Sequence, residues 1–186
     1  NRIGDQQAPT LNADGVQQTP GFSEAYQQYV DSGWGSLTAP ASFGGQQLPQ
    51  LLGTAVMEIW QSANMAFALC PLLGQGAIES IIHHGSAELQ QTFLPKMVSG
   101  EWTGTMNLTE PQAGSDVSAM TTRAVRDGDS WVITGRKQWC SYGVEADYIV
   151  VMARTSGWIS SSATTGISCA IRSEERRVGK ECASMC

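Results

Sequence analysis

Apolar residues recur at helical spacing through the first hundred positions and at strand spacing afterwards. Phe22, Ala25, Tyr26, Tyr29 and Val30 fall three and four apart beside Ser23, a residue suited to capping, and Gly33 ends the run. That pattern predicts a short amphipathic helix. From Leu51 to Phe67 the apolar positions, among them Leu52, Val56, Ile59, Trp60 and Met65, cover more than half of a helical circumference. This predicts a core helix starting at Pro49 and packed by others on most sides. Another helix is expected from Leu72 or Leu73 to His83 or His84, stopped by Gly85. A fourth should run from a Ser86 cap to about Met97, with a kink or break at Pro95.

The segments between these runs carry the breakers. Residues 1–20 are rich in Gln, Asn, Asp, Gly and Pro without apolar periodicity, and read as loop or disordered chain. Gly33, Gly35, Pro40, Gly44, Gly45 and Pro49 make the next connection a loop as well. After Glu101 the composition turns to Thr, Val, Ile, Trp and Tyr, which predicts strands at 104–108, 121–126, 130–137 and 148–155. Asp127-Gly128-Asp129 between two of them is a hairpin signal, because Asp-Gly supplies the positive φ of a tight turn. The expected class is α+β: an N-terminal helical bundle segment over 21–102, then an antiparallel β-barrel-like middle domain over 103–171.

Charge narrows the function classes. With 11 basic and 17 acidic residues the net charge is −6, and no cluster of Lys and Arg is present to hold nucleic-acid phosphates. The longest apolar stretch, near 51–70, is interrupted by Glu58, Gln61, Ser62 and Asn64. No transmembrane segment is therefore expected. Five scattered cysteines, without paired metal-binding spacing, fit a reducing cytoplasmic setting. The start at Asn1, without Met, reads as a cut within a longer polypeptide.

Candidate chemistry centres on Thr109-Glu110-Pro111-Gln112-Ala113-Gly114-Ser115-Asp116. Taken alone, this is a strand that breaks at Pro111 and enters a small-residue loop whose amides and hydroxyl could face an anion. A Gly-Ser turn is more often an ordinary connector, and no GxGxxG fingerprint accompanies it. Joined to Met106-Asn107-Leu108 before it, to Ile133-Thr134-Gly135-Arg136-Lys137-Gln138-Trp139 and to Ala146-Asp147-Tyr148 after it, the run resembles the acyl-CoA dehydrogenase family in order and spacing. The long form of 22–45 is most similar to a bacterial subgroup of that family.

That resemblance implies a flavoprotein whose FAD lies between a helical part and a middle β-domain. Thr109 would bond the flavin's pyrimidine edge, assisted by the backbone of Met106 and Leu108. The pyrophosphate would rest on Ser115 beside Gly114. Trp139 would pack beside the isoalloxazine ring, and Ser141, where the family often has Thr, would reach its N5 side. The implied reaction converts an acyl-CoA thioester to the trans-2-enoyl-CoA: a glutamate takes the α-proton as hydride leaves the β-carbon for flavin N5. Electrons would pass to an electron-transfer flavoprotein or similar acceptor, and the full-length protein would be a homo-oligomer. The glutamate belongs to a C-terminal helical domain before which this chain is truncated, so no catalytic residue is nominated here.

Other assignments are weaker. Glu110 as a base has against it the family role of its counterpart in loop structure. His83 and His84, adjacent on a helix, point about 100° apart and are better read as a helix end than as metal ligands. Met57, Trp60, Met65 and Phe67 could line an acyl tunnel, but helical spacing favours core. Rival functions are a flavin monooxygenase of the same fold, acting on an amine or nitroalkane, and a non-catalytic fragment or interaction module. From Arg172 onward the chain becomes abruptly charged and resembles a translated sequencing-library adapter, so 172–186 is expected to be non-native read-through.

Overall fold

Helices fill most of the first hundred residues and strands much of the remainder in the computed structural model, which describes residues 2–13, 15–128, 130–143, 145–155, 166–172 and 184–185. Two compact units are formed: Asn1–Leu72 with Val98–Glu101, and Leu73–Met97 with Trp102–Cys186.

In the first unit, the segment expected to be loop contains a short helix, α1 (Arg2–Gln6), and a two-stranded antiparallel ribbon of β1 (Thr10–Asn12) and β2 (Gly15–Gln17). Helix α2 (Phe22–Asp31) follows and closes as expected before Gly33, which takes φ 71°. Its apolar face meets the long helix α3 (Gln50–His84) through aromatic rings. Tyr29 packs edge-on to Trp60 at 5.7 Å and to Phe67 at 6.0 Å, and Phe22 lies 5.5 Å from Phe67. Trp60 and Phe67 are thus packing residues. Burial, with Cys70 nearby, pushes the Tyr29 phenol up to about 12.

Helix α3 is two helices run together. Its break is at Asn64, with φ −160° and ψ 95°, rather than near Pro71 where the sequence pattern divides. Asn64 Oδ1 accepts from the Phe67 amide at 3.2 Å, so the side chain caps the second segment. Pro71 costs that segment one amide without ending it. Pro95 is likewise accommodated inside α4 (Ala87–Ser99). The expectation of a helix packed on most sides fails over the first segment, where Leu51 and Ile59 are 82% and 68% exposed, and just past the break, where Met65 is 62% exposed. Apolar spacing marks a face that favours burial and is silent on whether this chain carries the covering element. By length and composition α3 could cross a bilayer, against the expectation above. Its broken backbone at Asn64 and the burial of Ala77, Ile78 and Ile81 instead suit a helix packed within protein.

The second unit holds the sheet. Its strands are β3 (Gly104–Asn107), β4 (Arg123–Asp127), β5 (Ser130–Thr134), β6 (Tyr148–Arg154), β7 (Gly166–Arg172) and β8 (Ser184–Met185). β6 is central and reads YIVVMAR, a continuous apolar run as expected of a strand flanked on both edges. β4 and β5 form the expected hairpin, with Asp127 opposite Ser130 and Gly128 at φ 62°. The sheet is mixed rather than antiparallel, which corrects the barrel-like expectation. β3 and β4 both run parallel to β6, while β7 is antiparallel to β6 and β8 to β7. Among the described residues it does not close. Strand composition is the same in either pairing direction, and the connection 108–122 brings the chain back so that β4 runs in the same sense as β3.

One face of β6 buries Ile149, Val151 and Ala153 with Ala124, against Trp131 and Ile133. On the other, Tyr148 packs on Phe93 at 4.7 Å and Trp102 at 4.8 Å, with Lys96 Nζ 4.2 Å over the Trp102 ring. The proposed read-through segment falls largely on 173–183 and 186, outside the described residues.

Candidate functional site

The site begins where β3 leaves the sheet. Asp147 Oδ2 accepts from the Thr103 amide at 2.8 Å and its hydroxyl at 3.0 Å, and Tyr148 N donates to Thr103 O at 3.1 Å. This clamp sets the parallel register that runs from Gly104 opposite Tyr148 to Asn107 opposite Val151. Past Asn107 the chain bonds elsewhere. Lys137 Nζ donates to Leu108 O at 3.0 Å, and Gln138 N donates to Thr109 O at 2.9 Å. Pro111 then permits a tight reversal, with Glu110 and Ala113 exchanging amide bonds of 3.0 Å each.

Glu110 holds that reversal to the rest of the unit. The residue is 2% exposed. Its carboxylate accepts from Thr121 N at 2.6 Å, Thr121 Oγ1 at 2.9 Å, Thr122 N at 3.0 Å, Gln112 Nε2 at 2.7 Å and Lys137 Nζ at 2.8 Å. Burial pushes its pKa up, but Lys137 and the Thr121 and Thr122 donors outweigh that and hold the carboxyl well below the usual range. A carboxylate so fully occupied and so weakly basic is ill suited to abstract a proton. Its chemistry is to fix the turn.

Beyond Ala113, buried at 1% exposure, Gly114 and Ser115 stand in the open. A Cβ built on Gly114 would meet nothing within 4 Å, and its φ is outside the left-handed region. Neither packing nor backbone therefore requires glycine within this chain; a group approaching the loop closely would. The loop is braced on its far side. Asp116 Oδ1 accepts from Ser118 N at 3.1 Å and from Ser118 Oγ, and Arg154 donates to Met120 O at 2.7 Å and to Ser118 O.

The second wall is the turn 139–142. Trp139 and Tyr142 both adopt φ 59°, rare for bulky residues, and the Trp139 ring is 79% exposed. Ser141 N donates to Trp139 O at 2.8 Å, and Gly143 N to Cys140 O at 3.0 Å. Ser141 O in turn accepts from Thr105 Oγ1 at 2.8 Å. Met106, Leu108 and Thr109 thus lie on one run of chain to which the run bearing Trp139 and Ser141 is bonded twice, at Thr109 and Thr105. Gly114 and Ser115 lie beyond the Glu110–Ala113 bridge. Sequence reasoning missed Thr105, Lys137 and Arg154. Lys137 stands inside the recognised motif and could have been found as the cation able to pair with Glu110, whereas Thr105 is an ordinary strand threonine. His83 and His84 end α3, with His83 Nε2 3.2 Å from Glu79.

The family model described as acyl-CoA dehydrogenase, N-terminal domain, matches residues 6–101, and that of the acyl-CoA dehydrogenase middle domain matches 105–179. The chain is 44% identical over 158 residues to 3-methylmercaptopropionyl-CoA dehydrogenase of Ruegeria pomeroyi, which covers 82% of this chain and 27% of that protein. It superposes on a glutaryl-coenzyme A dehydrogenase in complex with glutaryl-CoA with a TM-score of 0.75 at 25% identity, covering 89% of this chain and 45% of the other. A glutaryl-CoA dehydrogenase from Mycobacterium smegmatis in complex with FADH2 shares the fold, with a TM-score of 0.72 at 22% identity over 88% and 43% of the two chains. The chain spans about a quarter of the length of its Ruegeria relative. With one family model covering residues 6–101 and the other 105–179, the chain belongs to the acyl-CoA dehydrogenase family.

Proposed function

We propose that this chain is the N-terminal and middle part of an FAD-dependent acyl-CoA dehydrogenase that oxidises an acyl-CoA thioester to the trans-2-enoyl-CoA. The observation that carries the reading is the double tie between the 105–109 run and the 138–141 run, which sets Thr109 and Trp139-Ser141 on adjoining segments. The residues present suit FAD. Gly114 leaves room for a close-lying group, Ser115 is exposed beside it, and Asn107 Oδ1 is a buried acceptor with no partner among the described residues.

Bound FAD would supply the two-electron acceptor that amino-acid side chains lack. The protein's part is to bind and orient. The Thr109 hydroxyl would bond the pyrimidine edge, assisted by the backbone of Met106 and Leu108. Ser115 and the small-residue loop offer hydroxyl and amide donors to the pyrophosphate. Trp139 would pack beside the ring, and Ser141 would offer a hydroxyl to its N5 side. The proton-abstracting glutamate and the acceptor, an electron-transfer flavoprotein or its equivalent, lie beyond the residues described.

The test is to load the full-length protein with FAD and add an acyl-CoA under anaerobic conditions. Relatives point to 3-methylmercaptopropionyl-CoA and glutaryl-CoA as first thioesters. Bleaching of the flavin absorbance with formation of an enoyl-CoA supports the reading. A flavin that stays oxidised with these and with a series of straight and branched acyl-CoAs contradicts it.

A further inference from the structure

The turn that carries Trp139 and Ser141 is exposed from Trp139 through Ser141, and two of its residues hold a left-handed backbone that bulky side chains rarely adopt. Such a conformation persists only where the surroundings over-determine it. Here the turn is bracketed by two hydrogen bonds to one run of chain. At its entry Gln138 N donates to Thr109 O at 2.9 Å, and at its exit Thr105 Oγ1 donates to Ser141 O at 2.8 Å. The first is backbone to backbone and survives any side-chain change. The second depends on a single hydroxyl.

Thr105 is 0% exposed and sits on β3 two residues from Asn107, in a strand whose register with β6 is independently fixed by the Thr103–Asp147 clamp. Its hydroxyl is therefore presented from a strand of fixed register to an exposed turn, four residues along the chain from Thr109. We propose that Thr105 is a positioning residue of the flavin site: by holding the Ser141 carbonyl it fixes the Ser141 hydroxyl and the Trp139 ring relative to Thr109. The proposal rests on the flavin reading above. A hydrogen bond across 36 residues sets the spacing of the two walls, and it does so without touching the cofactor. Since Ser141 is exposed, loss of the bond should cost the flavin-free fold little. The effect is felt when the turn must be ordered against the ring, since a pre-organised turn avoids that ordering cost on binding.

The experiment compares wild type, Thr105→Val, Thr105→Ala and Thr105→Ser in the full-length protein. Dissociation constants for FAD, the visible spectrum and midpoint potential of the bound flavin, and melting temperatures of the flavin-free forms are measured. Thr105→Val, nearly isosteric but without the hydroxyl, should bind FAD about tenfold more weakly, as expected for one hydrogen bond, with a displaced spectrum and potential. Thr105→Ser should stay within about twofold of wild type, and the flavin-free proteins should melt alike. The alanine variant carries the same comparison should valine disturb folding. Wild-type affinity and spectrum in both variants lacking the hydroxyl would overturn the proposal while leaving the flavin reading intact. So would a loss shared equally by Thr105→Ser and matched by a fall in flavin-free melting temperature. A wild-type protein that takes up no FAD would overturn the flavin reading and this proposal together.

Discussion

Lys137 Nζ meets Glu110 Oε1 at 2.8 Å, with the two side chains only 9% and 1% exposed. The pair closes a circuit: Lys137 also holds Leu108 O, and Glu110 holds the entry of β4 through Thr121 and Thr122. Removing one partner leaves an unpaired charge in the interior, which costs about 3–5 kcal/mol. Lys137→Met and Glu110→Gln should each destabilise the protein by roughly that amount in urea unfolding. The double variant should recover part of the loss, because neither buried charge remains.

Acid should find the same pair. The folded-state pKa of Glu110 is depressed, so its contribution is complete above the unfolded glutamate value of about 4.3. It is lost as pH falls below that value toward the folded pKa. Melting temperature should therefore drop steeply below about pH 4.3, and Glu110→Gln, already lacking the charge, should show a shallower drop. Parallel acid profiles would contradict this assignment.

Gly114 separates binding from folding. A methyl group there meets nothing within 4 Å and demands no left-handed backbone. Gly114→Ala should leave flavin-free stability within about 0.5 kcal/mol of wild type. The same methyl intrudes on a group lying against the loop, so FAD affinity should fall. Unchanged affinity in a fluorescence titration would show that nothing binds closely at Gly114.

Gly135 presents the opposite case. A Cβ there would lie 2.2 Å from Thr122 Oγ1 and 2.7 Å from Thr122 Cα. Gly135→Ala must displace Thr122, whose amide serves Glu110. Destabilisation of about 1–3 kcal/mol is expected from this overpacking, read as a lower urea midpoint.

The residues that announce themselves in the sequence are those whose types are unusual for their place. Pro111, Gly114 and Ser115 interrupt a strand-rich run, and Asp127-Gly128 marks a turn; the structure has a reversal and a hairpin there. Helical spacing located α2 and α4, since side-chain periodicity is a local property. What failed is non-local. The parallel pairing of β3 with β6 joins residues 44 apart, and strands of either sense share the same composition. The break in α3 went to Asn64 because an asparagine that caps a new segment leaves no trace in apolar spacing, while Pro71 draws attention and is tolerated. Leu51, Ile59 and Met65, all exposed, fit a core pattern because a pattern records hydrophobicity and not its partner. Thr105 was invisible for the reason that makes it interesting: its bond to Ser141 depends on where two distant segments lie.

FAD binding to the full-length protein decides whether the Thr109–Ser115 loop and the Trp139–Ser141 turn form a flavin site. Wild type should take up one equivalent of FAD. Ser115→Asp, which sets a negative charge where the pyrophosphate is placed, should fold normally yet bind at least about tenfold more weakly. Failure of wild type to bind FAD, or equal binding by the two proteins, would contradict the account.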